Sequence, residues 1–193
     1  FKMHAEMFSL EKTVRSHGWA MLDPFHWERG SQILHLSARL EETVVRFRIS
    51  QPGAGPLDVQ YVGCPSSESW ARRVVSRILM LDWRPSTILD KAEKLDPSVA
   101  AYIREGGGRL LRGATWFEDF GKTVCTINTA WGNTRTMTGL LAKEFGDGAF
   151  PSAAVIARTE PEELKRRAKA LQDAADGFAQ DPMLQTQHKQ TLE

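Results

Sequence analysis

Residues 115–146, TWFEDFGKTVCTINTAWGNTRTMTGLLAKEFG, decide the fold because their pattern predicts two helices joined by a short polar turn. Thr115 and Glu118 form a capping box, in which a hydroxyl and a carboxylate satisfy backbone N–H groups at a helix start. An apolar stripe at helical spacing follows, formed by Phe117, Phe120, Val124 and Ile127. We expect this stripe to face the protein core.

The turn between the two predicted helices is rich in side chains that bond to nearby backbone. Asn128, Thr129 and Asn133 belong to this class, and such residues favour caps and turns over helix interiors. Helical spacing then resumes, with apolar residues at Met137, Leu140, Leu141 and Phe145. Gly146 is expected to end the second helix in the left-handed conformation.

Three segments nearer the N-terminus alternate apolar and polar residues, which is the period of a strand with one buried face. They are residues 32–40, 43–50 and 57–62. Their connections are too short for parallel crossovers, so an antiparallel sheet is expected. From Ser66 the apolar period becomes helical, with Trp70, Val74, Ile78 and Leu81 on one stripe. The sequence therefore predicts an α+β fold in which a helix covers a small antiparallel sheet.

Proline and glycine positions organise the remainder of the chain. Asp96 and Pro97 suit the cap and first residue of a helix, and the glycines at 106–108 end that helix. The segments after these glycines have helical character until a polar tail begins. We therefore divide the chain into an N-terminal α+β module (1–105), the first part of an all-helical domain (106–178) and a polar tail (179–193).

An ordered set of residues runs through the chain from residue 8 to residue 170. In the central stretch it consists of Phe117-Glu118, Val124-Cys125-Thr126-Ile127-Asn128, Met137, Leu141 and Phe145-Gly146. The flanking members are Phe8-Ser9-Leu10, Ser16-His17-Gly18 and Arg109-Leu110-Leu111-Arg112. In this order they resemble the helix-hairpin-helix DNA glycosylases, in particular the 8-oxoguanine and 3-methyladenine branches. The helical pair then corresponds to the DNA-facing edge of that family.

The resemblance implies an enzyme that flips a damaged base out of duplex DNA and hydrolyses its N-glycosidic bond. It implies that Asn128 fills the gap left by the base and that Trp131 stacks nearby. The predicted DNA-binding residues are Asn128, Thr129, Trp131, Asn133 and Arg135. From the residues alone, Asn128 is also explained as a helix cap, and Trp131 as a packing residue.

The residues that would carry the chemistry are not identifiable in this chain. Family members place a glycine-rich hairpin, and then a catalytic Asp, after the helix that corresponds to residues 160–170. No such hairpin follows Ala170 here, and Asp173, Asp176 and Asp181 lie outside the required motif. The catalytic residue is therefore unknown. The resemblance implies a truncated or incomplete chain that needs no cofactor, and the absence of an initiator Met at Phe1 agrees with a piece of a longer protein.

Charge is almost balanced, with 25 Lys and Arg against 24 Asp and Glu. A DNA-binding surface must therefore be a local patch. The densest basic run is Lys165-Arg166-Arg167 with Lys169, which is equally explained as the polar face of a helix. Cys64 and Cys125 lie far apart, which indicates reduced thiols in an intracellular protein. We expect Cys125 to be a buried residue on its helix.

Metal sites and membrane spans are not expected from the sequence. The five histidines and two cysteines lack the spacing of metal ligands. No apolar run approaches the roughly 20 residues of a membrane-spanning helix. Two functions remain. The first is a base-excision repair glycosylase whose partner is double-stranded DNA with a damaged base. The alternative is a non-catalytic α+β domain that binds DNA or another protein.

Overall fold

The sheet predicted from alternation is present, with two further strands at its edges. A computed structural model of the chain describes residues 1–63, 68–167 and 169. Within them, five strands form one antiparallel sheet in the order β1-β5-β4-β3-β2. The strands are β1 (Lys2–Met3), β2 (Phe25–Glu28), β3 (Ile33–Leu40), β4 (Thr43–Ser50) and β5 (Leu57–Val62). The sequence did not predict β1 or β2, which are two and four residues long.

Cross-strand pairing places the predicted apolar residues on one face of the sheet. Leu36 of β3 pairs with Phe47 of β4, and Leu34 pairs with Ile49. All four are buried. The residues between them, such as Arg48, point to the opposite face, because successive side chains in a strand alternate.

Helices complete the described part of the chain. They are α1 (Leu10–Val14), α2 (Glu68–Ile78), α3 (Ser86–Leu95), α4 (Pro97–Arg104), α5 (Trp116–Val124), α6 (Trp131–Gly146) and α7 (Ala153–Arg158), with a 3₁₀ helix at Gly18–Met21. Buried residues of α2, namely Ala71, Val74, Val75 and Ile78, join the core formed by the inner face of the sheet. The α+β fold with a covering helix is therefore confirmed.

Several local expectations about helix ends are also settled. Asp96 caps α4 as predicted, because its carboxylate accepts a hydrogen bond from the Ser98 N–H at 2.9 Å. Residues 107–113 are not helical, although helical character was expected after the glycines. The left-handed residue after α6 is Asp147 (φ 52°) and not Gly146, which is the last helical residue.

A buried arginine ties the N-terminal segment to the rest of this module. Arg109 is 1% exposed, and within the described part of the chain its guanidinium donates to main-chain carbonyls alone. These acceptors are Met7 at 2.6 Å, Glu6 at 2.8 Å, Met80 at 3.1 Å and Trp83 at 3.2 Å. The guanidinium also lies over the rings of Phe8 and Trp83. One side chain thus holds residues 6–8 against the chain that follows α2.

The chain divides into two compact units, Phe1–Ser152 and Ala153–Glu193. The first contains the sheet and α1 to α6. In the second, α7 is followed by a helical segment at residues 161–167. The predicted boundary at residues 105/106 stays a prediction, and the tail at 179–193 lies outside the described residues. Among the described residues, no helix combines the length and apolar composition that a membrane crossing requires.

Candidate nucleic-acid interface

The start of α5 is fixed by three side-chain acceptors. The Thr115 hydroxyl accepts a hydrogen bond from the Glu118 N–H at 3.0 Å, which confirms half of the predicted capping box. The Glu118 carboxylate reaches one residue further than expected and accepts from the Ala114 N–H at 2.8 Å. Asp119 accepts from the Gly113 N–H at 2.6 Å. The first of these bonds satisfies an N–H group that a helix start leaves without a partner, and the other two fix the chain that leads into α5.

The buried face of α5 is the charged one, contrary to the prediction. Glu118 and Lys122 are buried, whereas Phe120 is 65% exposed. We call the exposed row Trp116, Phe120, Val124 and Ile127 the α5 apolar face. Phe117 is half-buried and packs edge-on against Phe150. The apolar stripe expected in the core is therefore largely a surface feature of the described chain.

Lys122 occupies a dry site between α5 and the sheet module. Its Nζ atom lies 2.6 Å from Oε1 of Glu118 and 4.1 Å from the centroid of the Phe25 ring. The ring of Trp19 is 5.6 Å away. Burial lowers the pKa of Lys122, and the charge of Glu118 opposes that effect. The ion pair and the aromatic rings together hold an ammonium group away from water.

His17 lies close to this pair and is held as a neutral imidazole. Its Nδ1 atom accepts a hydrogen bond from the Trp19 N–H at 3.2 Å. Its Nε2 atom is 2.8 Å from the Leu111 carbonyl oxygen, so Nε2 carries the proton and donates it. Burial is the largest cause that lowers the pKa of His17, and the nearby charge of Lys122 acts in the same direction.

A hydrogen bond from α6 to the end of α5 closes the turn between the two helices, and the turn presents Asn128 to solvent. The Thr134 hydroxyl donates to the Cys125 carbonyl oxygen at 2.9 Å. Asn128 is exposed and left-handed (φ 50°), a conformation that Asn tolerates better than most residues. Its side chain has no hydrogen-bond partner among the described residues. The flanking caps are Cys125 and Ala130, so Asn128 caps neither helix.

Trp131, the first residue of α6, packs against the N-terminal module. A Cβ atom built on Gly18 would lie 2.6 Å from Cζ2 and 2.8 Å from Cη2 of the Trp131 ring. The ring therefore rests on the Gly18 backbone with no space for a side chain between them. Trp131 remains 38% exposed.

The five predicted DNA-binding residues lie on one continuous piece of chain. Asn128, Asn133 and Arg135 are exposed, and Thr129 is half-buried. Trp131 is the member that is tied to another element. Cys125, expected to be buried within a helix, is half-buried at the end of α5, and burial raises the pKa of its thiol. That thiol is therefore kept protonated.

The basic run at the C-terminal end of the described chain is partly offset by carboxylates. Lys165 pairs with Glu162 at 2.8 Å, and Glu163 accepts from both Arg166 and Arg167. Lys169 completes the run. Ion pairs of this kind within one helical segment agree with the interpretation as a helix polar face.

The aspartates considered for catalysis in the sequence analysis cannot be compared with the described residues. Asp173, Asp176 and Asp181 lie outside them. Over the described residues, no three His, Cys, Asp or Glu side chains come close enough together to hold a metal ion.

Sequence analysis missed the ion pairs of α5. The pair formed by Lys122 and Glu118 was not predicted, although its i, i+4 spacing is that of a helical ion pair. Asp119 pairs with Arg77 of α2, whose guanidinium lies over the Trp116 ring at 4.5 Å. The contact between Gly18 and Trp131 joins residues 113 positions apart, and no local pattern indicates it.

No protein-family model matches the chain, and no curated protein matches it in sequence. Solved structures match its fold. A 3-methyladenine DNA glycosylase from Archaeoglobus fulgidus aligns with a TM-score of 0.69 over 95% of this chain and 67% of its own, at 14% identity. An 8-oxoguanine glycosylase/lyase from Clostridium acetobutylicum, in its apo form, aligns with a TM-score of 0.60 over 91% and 64%, at 16% identity. The chain thus shares their fold and spans about two thirds of their length.

Proposed function

We propose that this chain is part of a DNA glycosylase of base-excision repair, acting on double-stranded DNA with a damaged base. The observation that carries the proposal is the exposed Asn128, which projects from the α5–α6 turn without a hydrogen-bond partner among the described residues. An unpartnered amide at the tip of a turn is free to bond to a base edge. The fold shared with two DNA glycosylases supports the same assignment.

The shape of the turn suits the minor groove, which is only about 6 Å wide. The residues at its tip are short and uncharged, so they can enter the groove without desolvating a charge. Asn128 then occupies the space of the flipped base and bonds to the base opposite. Asn133 and Arg135 follow in the first two turns of α6, and we assign both to contacts with the DNA backbone.

The reaction of such an enzyme is hydrolysis of the bond between C1′ of the sugar and the damaged base. The base leaves with the bonding electrons and takes up a proton, the sugar develops positive charge, and a water molecule adds to C1′ and gives up a proton. A carboxylate beside the sugar stabilises that charge electrostatically. We assign no residue of this chain to that role, and the contribution proposed for its described part is to hold the DNA open.

The test replaces Asn128 by glycine, because glycine keeps the left-handed backbone without strain and removes the amide side chain. Paired titrations compare a duplex containing an abasic-site analogue with the same duplex undamaged. We expect Asn128→Gly to weaken binding to the damaged duplex by about 1–3 kcal/mol, the scale of one good base-edge contact. Binding to the undamaged duplex should change much less.

A matched variant separates base contact from phosphate contact. Arg135→Gln removes an exposed charge from α6 and should lower both affinities together, with a shallower salt dependence. An Asn128→Gly protein that keeps its full preference for the damaged duplex would exclude the proposed role of the turn.

The α5 apolar face favours one alternative, a non-catalytic domain that binds another protein. Four large apolar side chains in a row are unusual on a free surface and often mark an interaction site. This alternative predicts equal binding to damaged and undamaged duplex. The same paired titrations therefore decide between the two functions.

A further inference from the structure

The contact between Gly18 and Trp131 is made possible by the absence of a side chain, and not by backbone freedom. Gly18 is not among the residues with positive φ, so any L-residue could adopt its conformation. What it offers is space, because a Cβ atom there would lie 2.6 Å and 2.8 Å from two Trp131 ring atoms. A glycine at this position is therefore required only by the indole ring that rests on it.

Gly18 lies in a segment that is itself firmly held. His17, directly before it, bonds to the Leu111 carbonyl through Nε2 and to the Trp19 N–H through Nδ1. Trp19, directly after it, lies with its ring 5.6 Å from the Lys122 ammonium. The two neighbours of Gly18 are thus held by contacts to Leu111 and to Lys122 of α5.

The turn depends on contacts of this kind for its position. The hydrogen bond from Thr134 to Cys125 joins α6 to the end of α5 and does not reach the sheet module, whereas α5 is held there through Lys122 and Phe25. Asn128 has no hydrogen bond of its own among the described residues. Trp131 comes three residues later and does touch the module, so displacement of its ring moves the start of α6 and the turn with it.

We propose that Trp131 is a positioning residue, and that its seating on Gly18 sets the place of Asn128 relative to the 3₁₀ helix at Gly18–Met21. This inference rests on the proposed function. It assigns the packed face of the Trp131 ring to holding the turn rather than to stacking on a base. Catalysis and gap filling are sensitive to small shifts, since a misplacement of about 1 Å can cost about 100-fold.

The experiment is a double-mutant cycle on the contact itself. Gly18→Ala adds the Cβ atom that meets the ring, and Trp131→Leu removes both ring atoms that it would meet. Gly30→Ala is the matched control, because a Cβ there meets nothing within 4 Å. Each protein is assayed for relative affinity for abasic and undamaged duplexes, and for backbone amide resonances of residues 126–130 without DNA.

We expect Gly18→Ala to shift the amide resonances of residues 126–130 and to lower the preference for damaged DNA by roughly 10- to 100-fold. When Trp131 is already replaced by leucine, Gly18→Ala should cause no further change in the amide resonances or in the preference for damaged DNA. Gly30→Ala should leave both unchanged. The comparison between variants isolates the steric contact, because only the pair of substitutions at residues 18 and 131 is predicted to be non-additive.

Two results overturn the proposal. One is a set of resonance shifts confined to residues 17–21, which would mean that the turn does not follow the ring. The other is a normal preference for damaged DNA in Gly18→Ala while Asn128→Gly abolishes it, which would reduce the contact to packing. The failure of the proposed function is distinguishable, because then Asn128→Gly itself has no effect on the preference.

Discussion

The ammonium of Lys122 and the carboxylate of Glu118 lie 2.6 Å apart at a point where neither side chain is more than 3% exposed. The two residues are one helical turn apart on α5, and the rings of Phe25 and Trp19 cover the ammonium. In such a place a charge loses most of its hydration, and its partner must compensate. The pair therefore holds α5 in one rotational setting, with its charged face inward.

Removing one member of this pair should destabilise the protein strongly. We expect Lys122→Met or Glu118→Gln alone to lower the free energy of unfolding by about 3–5 kcal/mol, because each leaves the other charge buried without a counter-ion. The double variant should lose much less stability than the sum of the losses in the two single variants. Glutamine can still accept the Ala114 N–H bond that Glu118 now accepts. Urea unfolding of the four proteins measures the coupling.

An exposed pair with the same spacing provides the control. Arg72 and Glu68 of α2 are also four residues apart, but both side chains reach solvent. Glu68→Gln should cost less than about 1 kcal/mol, as surface ion pairs usually do. Equal losses at Glu118 and Glu68 would contradict the argument from burial.

Stability should fall as the pH is lowered through the titration of His17. Burial lowers the pKa of His17 below its ordinary value of 6.5, so the folded state binds fewer protons than the unfolded state over this range. The stabilisation linked to neutral His17 is present above pH 6.5, and it is lost as the pH falls from 6.5 to the lower pKa of the folded state. Protonation also removes the acceptor for the Trp19 N–H. Thermal unfolding between pH 5 and 8 measures the slope.

Replacing the ring by a group that does not titrate checks the assignment to His17. His17→Gln retains a donor for the Leu111 carbonyl oxygen and has no proton to gain. The variant should lose stability at pH 8 but should show a flatter pH dependence than the wild type. An unchanged slope would mean that another group causes it.

The α5 apolar face should bind hydrophobic probes and promote association. Trp116 is 76% exposed and Phe120 65% exposed. Phe120→Ser should reduce the fluorescence of a bound hydrophobic dye and the concentration dependence of the elution volume. The substitution should change the free energy of unfolding by no more than about 0.5 kcal/mol, because the side chain is mainly in solvent. A loss of several kcal/mol would show that this face is packed in solution.

Arg109 should not be replaceable by lysine. Its guanidinium serves four carbonyl oxygens in a fixed planar arrangement, and a lysine ammonium has three donors on a flexible stem. We expect Arg109→Lys to cost about 2–4 kcal/mol, since buried acceptors lose their partners. Arg104→Lys, at an exposed ion pair with Glu93, is the matched control and should be nearly neutral. Equal free energies of unfolding for Arg109→Lys and the wild type would mean that the four hydrogen bonds of the guanidinium are not needed for stability.

The sequence predicted those elements whose pattern is complete within the element. Strands β3, β4 and β5 alternate over most of their length, and the cap on α4 needs only Asp96 and Pro97. Strands β1 and β2 are too short to display a period, and they form because neighbouring strands provide pairing partners. The α+β class followed from the longer elements, since those contribute most of the sheet and its covering helix.

The orientation of α5 could not be predicted from its own residues. Lys122 and Glu118 have the composition of a solvated face, and Phe120 and Val124 that of a buried one. The reversal depends on Phe25 and Trp19, which come from a distant part of the chain and cover the ammonium. For the turn, composition and resemblance indicated Asn128, but the contact of Trp131 with Gly18 is a property of the assembled molecule.

The hydrogen bonds from Arg109 to the N-terminal segment also affect the order in which parts of the protein fold during synthesis. Met7 accepts a hydrogen bond from Arg109, which lies 102 residues later in the chain, and Lys12 pairs with Glu105, 93 residues later. Ribosomes add about 5–20 residues each second, so residues 6–12 wait on the order of 5–20 s for these partners. The hairpins of β3, β4 and β5 have all their strands by residue 62. During translation the sheet can therefore form first, while the N-terminal segment stays available to chaperones until Arg109 has been synthesised.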